Sequence, residues 1–173
     1  YIPPRVKIEI SCLSMDEPTE LRPIRSLIGE SFDGEDTDAE SLVRTVVPTR
    51  TFLEKLFLLA EEFQKEKPRS VRMSRHLYDL EKLMDTEYGK EALSNRKLYD
   101  AIVEHRKTYY ALKYVNYDLH APSTISFTIP ESLMDAWQDD YADMRRFFIY
   151  GESLEFDALM QRMEELQKRV GNI

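Results

Sequence analysis

Two charged side chains in this sequence lie beside the apolar faces of predicted helices, where a charge needs a partner or a function. In the stretch RTFLEKLFLLAEEF the apolar residues recur at helical spacing, and Lys55 falls next to Leu59 at the edge of that face. In SRHLYDLEKL the apolar stripe includes Leu77 and Leu80, and Asp79 borders it. A lysine can bind phosphate as a compact charge, and an aspartate can orient or deprotonate a hydroxyl. These two residues are therefore the first candidates for a functional site.

Both residues also have a purely structural interpretation. Lys55 can be a surface lysine whose aliphatic stem covers apolar surface. Asp79 can pair with Arg75 or Lys82 on its own helix, and such exposed pairs contribute only about 0.3 to 0.5 kcal/mol. Helical spacing alone leaves these alternatives open.

The two predicted helices are joined by a basic linker, residues 65–75, which is the most positive part of the chain. Guanidinium groups match phosphate oxygens in pairs, so such a cluster can hold a triphosphate or an RNA backbone. The alternative is a mobile, solvated loop. We predict a substrate-binding role for four residues of the linker and its end: Arg69, Arg72, Arg75 and His76. We expect the basic residues His105, Arg106 and Lys107 to face the same cleft.

The blocks RTFLEKL and SRHLYDL resemble the C-terminal motifs of the AbiEii/AbiGii nucleotidyltransferase family, toxins of bacterial abortive-infection and type IV toxin–antitoxin systems. The resemblance implies that Lys55 and Asp79 are catalytic residues. It also implies transfer of a nucleotide from an NTP, with Mg²⁺, to an RNA acceptor such as tRNA. The partner that it implies is an antitoxin that acts as a transcriptional regulator, without necessarily binding the toxin.

The resemblance also implies a Gly-Ser turn and paired metal-binding aspartates at the N-terminal side, and we find neither motif in this sequence. The chain begins at Tyr1 and enters a predicted strand, residues 6–13, after two prolines. We therefore expect an excised, C-terminal part of a nucleotidyltransferase that is inactive alone. Position on the strand makes Glu9 the candidate metal ligand, and its alternative is a solvated residue paired with Lys7 or Arg5.

The predicted fold class is α+β. Residues 1–50 form the remnant of a nucleotidyltransferase-like sheet, with further strands at Ile24–Ile28 and Leu42–Val47. Residues 51–173 form a helical domain of about five helices, which includes one long helix from Glu91 to about Leu112. An extended segment, Ile125–Ile129, precedes a helix opened by Pro130, and the last helix spans about Glu155 to Val170. The incomplete sheet has a free edge, which makes a homodimer possible.

Composition limits the alternatives. The formal net charge of −8 argues against diffuse attraction to nucleic acid, although a local basic patch can still bind it. The single cysteine, Cys12, excludes a disulfide within the chain and fits a cytoplasmic location. No apolar run is long enough for a membrane span, so we expect no membrane partner. A second function class stays open, namely a non-catalytic helical module for interaction or substrate docking.

Overall fold

The computed structural model describes residue 8, residues 19–32 and residues 40–173. Apart from Ile8, the predicted opening strand, with Glu9 and Cys12, lies outside these described residues. The fold of the described part is α+β, as predicted: a two-stranded sheet is followed by a helical region.

The sheet consists of β1 (Thr19–Arg25) and β2 (Glu40–Val46), which pair antiparallel from Thr19 opposite Val46 to Arg25 opposite Glu40. The predicted strand at Leu42–Val47 is confirmed as β2, with both ends within two residues of the prediction. The prediction of a strand at Ile24–Ile28 is wrong, because the strand ends at Arg25 and α1 (Leu27–Ser31) follows it. Within the described residues β1 has one partner strand, so it keeps an outer edge where the missing N–H of Pro23 costs little.

The sheet and α1 expose apolar side chains in the described part of the chain. Leu42 is 66% exposed in β2, and Leu27 is 81% exposed in α1. A hydrogen bond from Arg22 Nη2 to the Tyr88 hydroxyl, 2.7 Å long, ties β1 to the helical region. A homodimer formed through the sheet stays a prediction.

The helical region begins with a helix that opens on Pro48, which needs no N–H partner in the first turn. The predicted single helix from Glu91 to Leu112 is wrong. The helix breaks at Asn95, whose backbone leaves the helical conformation with φ of −103° and ψ of 73°. Its side chain accepts a hydrogen bond from Leu98 N at 3.0 Å and so caps a new helix. Six α-helices therefore follow the sheet within the described residues: α2 (Pro48–Glu62), α3 (Arg75–Met84), α4 (Glu87–Ser94), α5 (Arg96–His105), α6 (Met134–Phe147) and α7 (Phe156–Val170).

Three shorter helical segments complete the region: a π-helical turn at Arg106–Tyr110 and 3-10 turns at Tyr117–His120 and Glu131–Leu133. The predicted helices after Pro130 and at the C-terminus are confirmed as α6 and α7. No helix in the described ranges combines the length and the apolar character that a membrane span requires.

The core is built around α2, which packs against α3, α4 and α5. Its apolar side chains are fully buried: Phe52, Leu53, Leu56, Phe57 and Leu59. Burying each such side chain contributes about 1.5 to 3 kcal/mol. The helix α3 packs against α4 and α7 as well as against α2. The two helices that carry Lys55 and Asp79 are thus fixed against each other by the best-packed part of the protein.

The predicted extended segment Ile125–Ile129 is present, with alternating burial but without a partner strand in the described part of the chain. Ile125, Phe127 and Ile129 are buried. The Gln167 side chain of α7 takes the place of a neighbouring strand: its Nε2 donates to Ile125 O at 2.7 Å, and its Oε1 accepts from Phe127 N at 3.3 Å.

Candidate functional site

The Lys55 and Asp79 side chains meet where α2 packs against α3. Lys55 Nζ donates to Asp79 Oδ2 at 2.7 Å. Their side chains are 23% and 35% exposed, so the pair lies at the surface edge of the core, where a ligand can reach it. Among the described residues the partner of Asp79 is Lys55, whereas Lys82 lies 3.3 Å from Glu81. The structure therefore brings together the two residues that the resemblance implies are catalytic.

The imidazole of His76 lies buried on α3, close to this pair. Burial disfavours its charged form, and the positive charges of Lys55 and Arg75 add to this effect, so its pKa falls to about 4. The charges of Asp79 and Arg69 also act on His76. Four of the predicted site residues, Lys55, Asp79, Arg69 and Arg75, thus lie within electrostatic reach of the fifth, His76. His76 itself is neutral at pH 7 and supplies no positive charge.

The beginning of the basic linker is held by Glu62, the last residue of α2, which is 3% exposed. Arg69 donates to the Glu62 carboxylate from its backbone N and from Nη2, both at 2.8 Å, and Lys65 Nζ donates at 2.7 Å. Burial opposes ionisation of Glu62, but these hydrogen bonds outweigh it and lower its pKa to about 2. The charge of Arg69 is therefore already balanced by Glu62.

The end of the basic linker is held by Asp140 of α6. Its carboxylate accepts hydrogen bonds from Arg72 N, from Ser74 N at 2.9 Å and from Ser74 Oγ at 2.5 Å. Arg72 adopts a left-handed backbone conformation with φ of 59°, and its guanidinium carbon lies 5.0 Å from the centre of the Phe148 ring. Asp140 thereby fixes the entry to α3, the helix that carries Asp79.

Sequence reasoning missed this role of Asp140. Asp140 lies 66 residues from Ser74, and no local pattern connects the two. Glu62 was also missed, although an acidic residue at the last turn of a helix that leads into a basic segment is a usable signal.

Two further cations belong to the basic linker. Lys67 and Arg75 are exposed, and neither forms an ion pair within residues 19–32 and 40–173. Arg75 begins α3, one turn before Asp79, and its charge acts on the neighbouring His76. Of the four linker residues predicted to bind substrate, Arg75 is thus the one that keeps both its exposure and an uncompensated charge beside Lys55 and Asp79.

The expectation that Arg106 faces the cleft is wrong. Arg106 is 4% exposed and donates from Nε to Glu61 at 2.7 Å, while its Nη1 binds Glu54. Burial disfavours its charge, but the hydrogen bond and charge of Glu61, with the charge of Glu54, more than compensate and raise its pKa. Arg50 also binds Glu54, at 2.8 Å. The ion pairs of Arg106 with Glu54 and Glu61 thus join α2 to the π-helical turn.

Acidic side chains are the candidate magnesium ligands in this protein. No group of three or more acidic, histidine or cysteine side chains converges within the ranges that the structure describes. Asp79 has Lys55 as its neighbour, which disfavours a cation there. The predicted ligand Glu9 lies outside these ranges.

Within the described residues, a two-stranded sheet followed by a helical region defines an α+β protein, with a lysine–aspartate pair where α2 packs against α3. The family model described as nucleotidyl transferase AbiEii toxin of the type IV toxin–antitoxin systems matches residues 1–162, and the chain belongs to this family. Comparison with curated proteins and with solved structures found no significant match. The predicted family is thus confirmed, and with it a nucleotidyltransferase toxin as the class of protein.

Proposed function

We propose that Lys55 and Asp79 form the centre of a site that transfers a nucleotide from an NTP to an RNA acceptor, with tRNA as the first acceptor to test. The observation that carries this proposal is the 2.7 Å contact between the two side chains at an accessible edge of the core. Membership of the AbiEii family supports the nucleotidyltransferase class and an NTP as substrate.

In this proposal Lys55 binds the triphosphate. Its stem leaves the packed surface of α2, so its ammonium group is held in place without being removed from solvent. A compact ammonium can follow phosphate oxygens as negative charge shifts during transfer. Arg75 adds a second positive charge at the start of α3.

Asp79 has two successive roles. In the free protein it holds the Lys55 ammonium at 2.7 Å and so fixes its position. When the triphosphate binds Lys55, the Asp79 carboxylate can accept the proton of the RNA hydroxyl. The hydroxyl oxygen then bonds to the α-phosphorus, the bond to the β-phosphate breaks, and pyrophosphate leaves.

Magnesium belongs to the proposal because transfer of phosphate groups commonly uses a divalent cation to neutralise the developing charge. Its ligands would come from outside the described residues, with Glu9 as the candidate within this sequence. We place the reaction in the cytoplasm and expect an antitoxin regulator to counteract it without direct contact.

The test uses the full-length protein, labelled NTPs, Mg²⁺ and total tRNA. Lys55→Ala and Asp79→Ala should each reduce label transfer by about 10² to 10⁴, the range for loss of a positioned catalytic group. Lys97→Ala and Asp135→Ala are matched controls, since both residues are exposed on other helices, and they should leave transfer unchanged.

Circular dichroism and urea unfolding would establish that each variant is folded. Undiminished transfer by folded Lys55→Ala and Asp79→Ala variants would contradict the proposed roles. No transfer by the unmodified protein with any NTP would instead leave the non-catalytic docking module as the function.

A further inference from the structure

Three exposed aromatic side chains lie within four positions at the last residue of α6 and just after it. Phe147 is 56% exposed, Phe148 is 51% exposed and Tyr150 is 93% exposed. Between them, Ile149 packs against the hydrophobic core and fixes the segment. We call Phe147, Phe148 and Tyr150 the aromatic platform. Each of the three aromatic residues is thus more than half exposed.

Two arginines lie on the rings of the aromatic platform. The guanidinium carbon of Arg146 is 4.9 Å from the centre of the Phe147 ring, and that of Arg72 is 5.0 Å from the centre of the Phe148 ring. Neither guanidinium forms an ion pair within the described part of the chain. Arg145, by contrast, binds Glu155 at 2.5 and 2.6 Å. The aromatic platform thus carries two uncompensated positive charges in a protein with a net charge of −8.

The structure maintains Arg72 in place at some energetic cost. Its left-handed backbone, with φ of 59°, is unfavourable for a residue with a side chain, and the bond from its N–H to Asp140 offsets that cost. The result is that the guanidinium lies over Phe148. The same linker continues through Ser74 into α3, and Asp79 follows five residues later, about 7 Å along the helix. The aromatic platform and the proposed active site are therefore attached to one fixed segment.

Exposed rings combined with unpaired arginines are the features that bind single-stranded nucleic acid, because bases stack on the rings and phosphates contact the guanidinium groups. We propose that the aromatic platform binds the single-stranded end of the RNA acceptor. This inference rests on the proposed function, since it supplies the docking surface for the same reaction. An open cleft of about 420 Å³, lined in part by Lys82, Arg145 and Gly151, continues from the loop after α6 and leaves room for a further nucleotide.

The test measures binding of a fluorescently labelled, unstructured RNA of eight nucleotides by anisotropy, without NTP or metal. Phe147→Ala and Tyr150→Ala should each weaken binding about tenfold, as expected for the loss of one stacking ring. Tyr150→Trp should keep the affinity. The matched control is Tyr109→Ala, which removes a ring that is 65% exposed outside the aromatic platform.

The arginines make a separate prediction. Arg72→Met and Arg146→Met should each reduce the slope of log affinity against log salt by about 0.7, the value for one phosphate contact on a single strand. A double-stranded RNA of the same sequence should bind at least tenfold more weakly, because its bases are not free to stack.

Unchanged RNA affinity in folded Phe147→Ala and Tyr150→Ala variants would overturn the inference. Equal binding of double-stranded and single-stranded RNA would also overturn it. If the variants changed the oligomeric state in size-exclusion chromatography but not RNA binding, the aromatic platform would be a protein interface, and the inference would be wrong. The binding assay does not require nucleotide transfer, so the two proposals can fail separately. If the protein binds RNA through the aromatic platform but transfers no label, only the proposed function is contradicted.

Discussion

Lowering the pH from 7.5 to 5.5 should destabilise the protein through His76 by between about 1 and 2 kcal/mol. The pKa of His76 is about 4 in the folded protein against 6.5 for an ordinary histidine, because burial and the charges of Lys55 and Arg75 disfavour its protonation. Between these two values the unfolded chain binds a proton that the folded chain does not. The free energy of unfolding therefore falls as the pH drops through this window. Its change follows from RT times the logarithm of the ratio of the proton-binding polynomials of the unfolded and the folded state.

The assay is urea unfolding of the unmodified protein and of His76→Gln at both pH values. The variant lacks the titrating group, so the difference in pH dependence between the two proteins isolates His76. The pKa of the buried His120 is also lowered, chiefly by burial, but its contribution is the same in both proteins and cancels. An identical loss of stability in both proteins would refute the assignment of a buried, neutral imidazole at this position.

A second measurement tests whether His76 lies beside the candidate site. Lys55 lowers the pKa of His76 and Asp79 raises it. An NMR titration of the imidazole should therefore give a higher pKa in Lys55→Met and a lower pKa in Asp79→Asn. If both variants left the titration unchanged, the two side chains would not flank His76 and the geometry of the site would be wrong.

Two further substitutions test how the site is supported, and urea unfolding measures both. Gly89→Ala should destabilise the protein by about 1 to 3 kcal/mol, because a Cβ atom there would lie 2.8 Å from Met84 Cα and still closer to the Leu83 carbonyl oxygen. Gly171→Ala, where the nearest atom is 3.5 Å away, should change stability by less than about 0.5 kcal/mol, and equal effects of the two changes would contradict this packing. Arg106→Met should cost about 3 to 5 kcal/mol because it leaves Glu61 charged and buried, and a loss below 1 kcal/mol would show that Arg106 is not buried against it.

The sequence was sufficient to predict the two helices around the candidate site and the edge positions of Lys55 and Asp79. Those predictions depend on helical periodicity, which is a local property. The contact between the two side chains was not predictable, because it depends on the way α2 and α3 pack. That packing is in turn influenced by the close approach of Gly89 in α4 to the end of α3.

The errors have three different physical origins. Arg106 was expected at the surface because arginine is rarely buried, but two glutamates of α2 compensate its charge in the interior. The break at Asn95 was missed because one side-chain cap competed successfully with a strongly helical sequence on both sides. The strand through Pro23 was missed because proline disfavours a strand with neighbours on both sides, whereas β1 has one neighbour within the described residues.

Two carboxylates fix the backbone of the basic linker at its two ends, and two of its cations take no part in this. Glu62 and Asp140 fix the backbone, whereas Lys67 and Arg75 take no part in that fixation. Exchange of these two cations can therefore alter which polyanion is attracted, and how strongly, without refolding the segment. If the proposed function holds, substitutions at Lys67 and Arg75 can change substrate preference during evolution while the path of the chain into α3 stays constant.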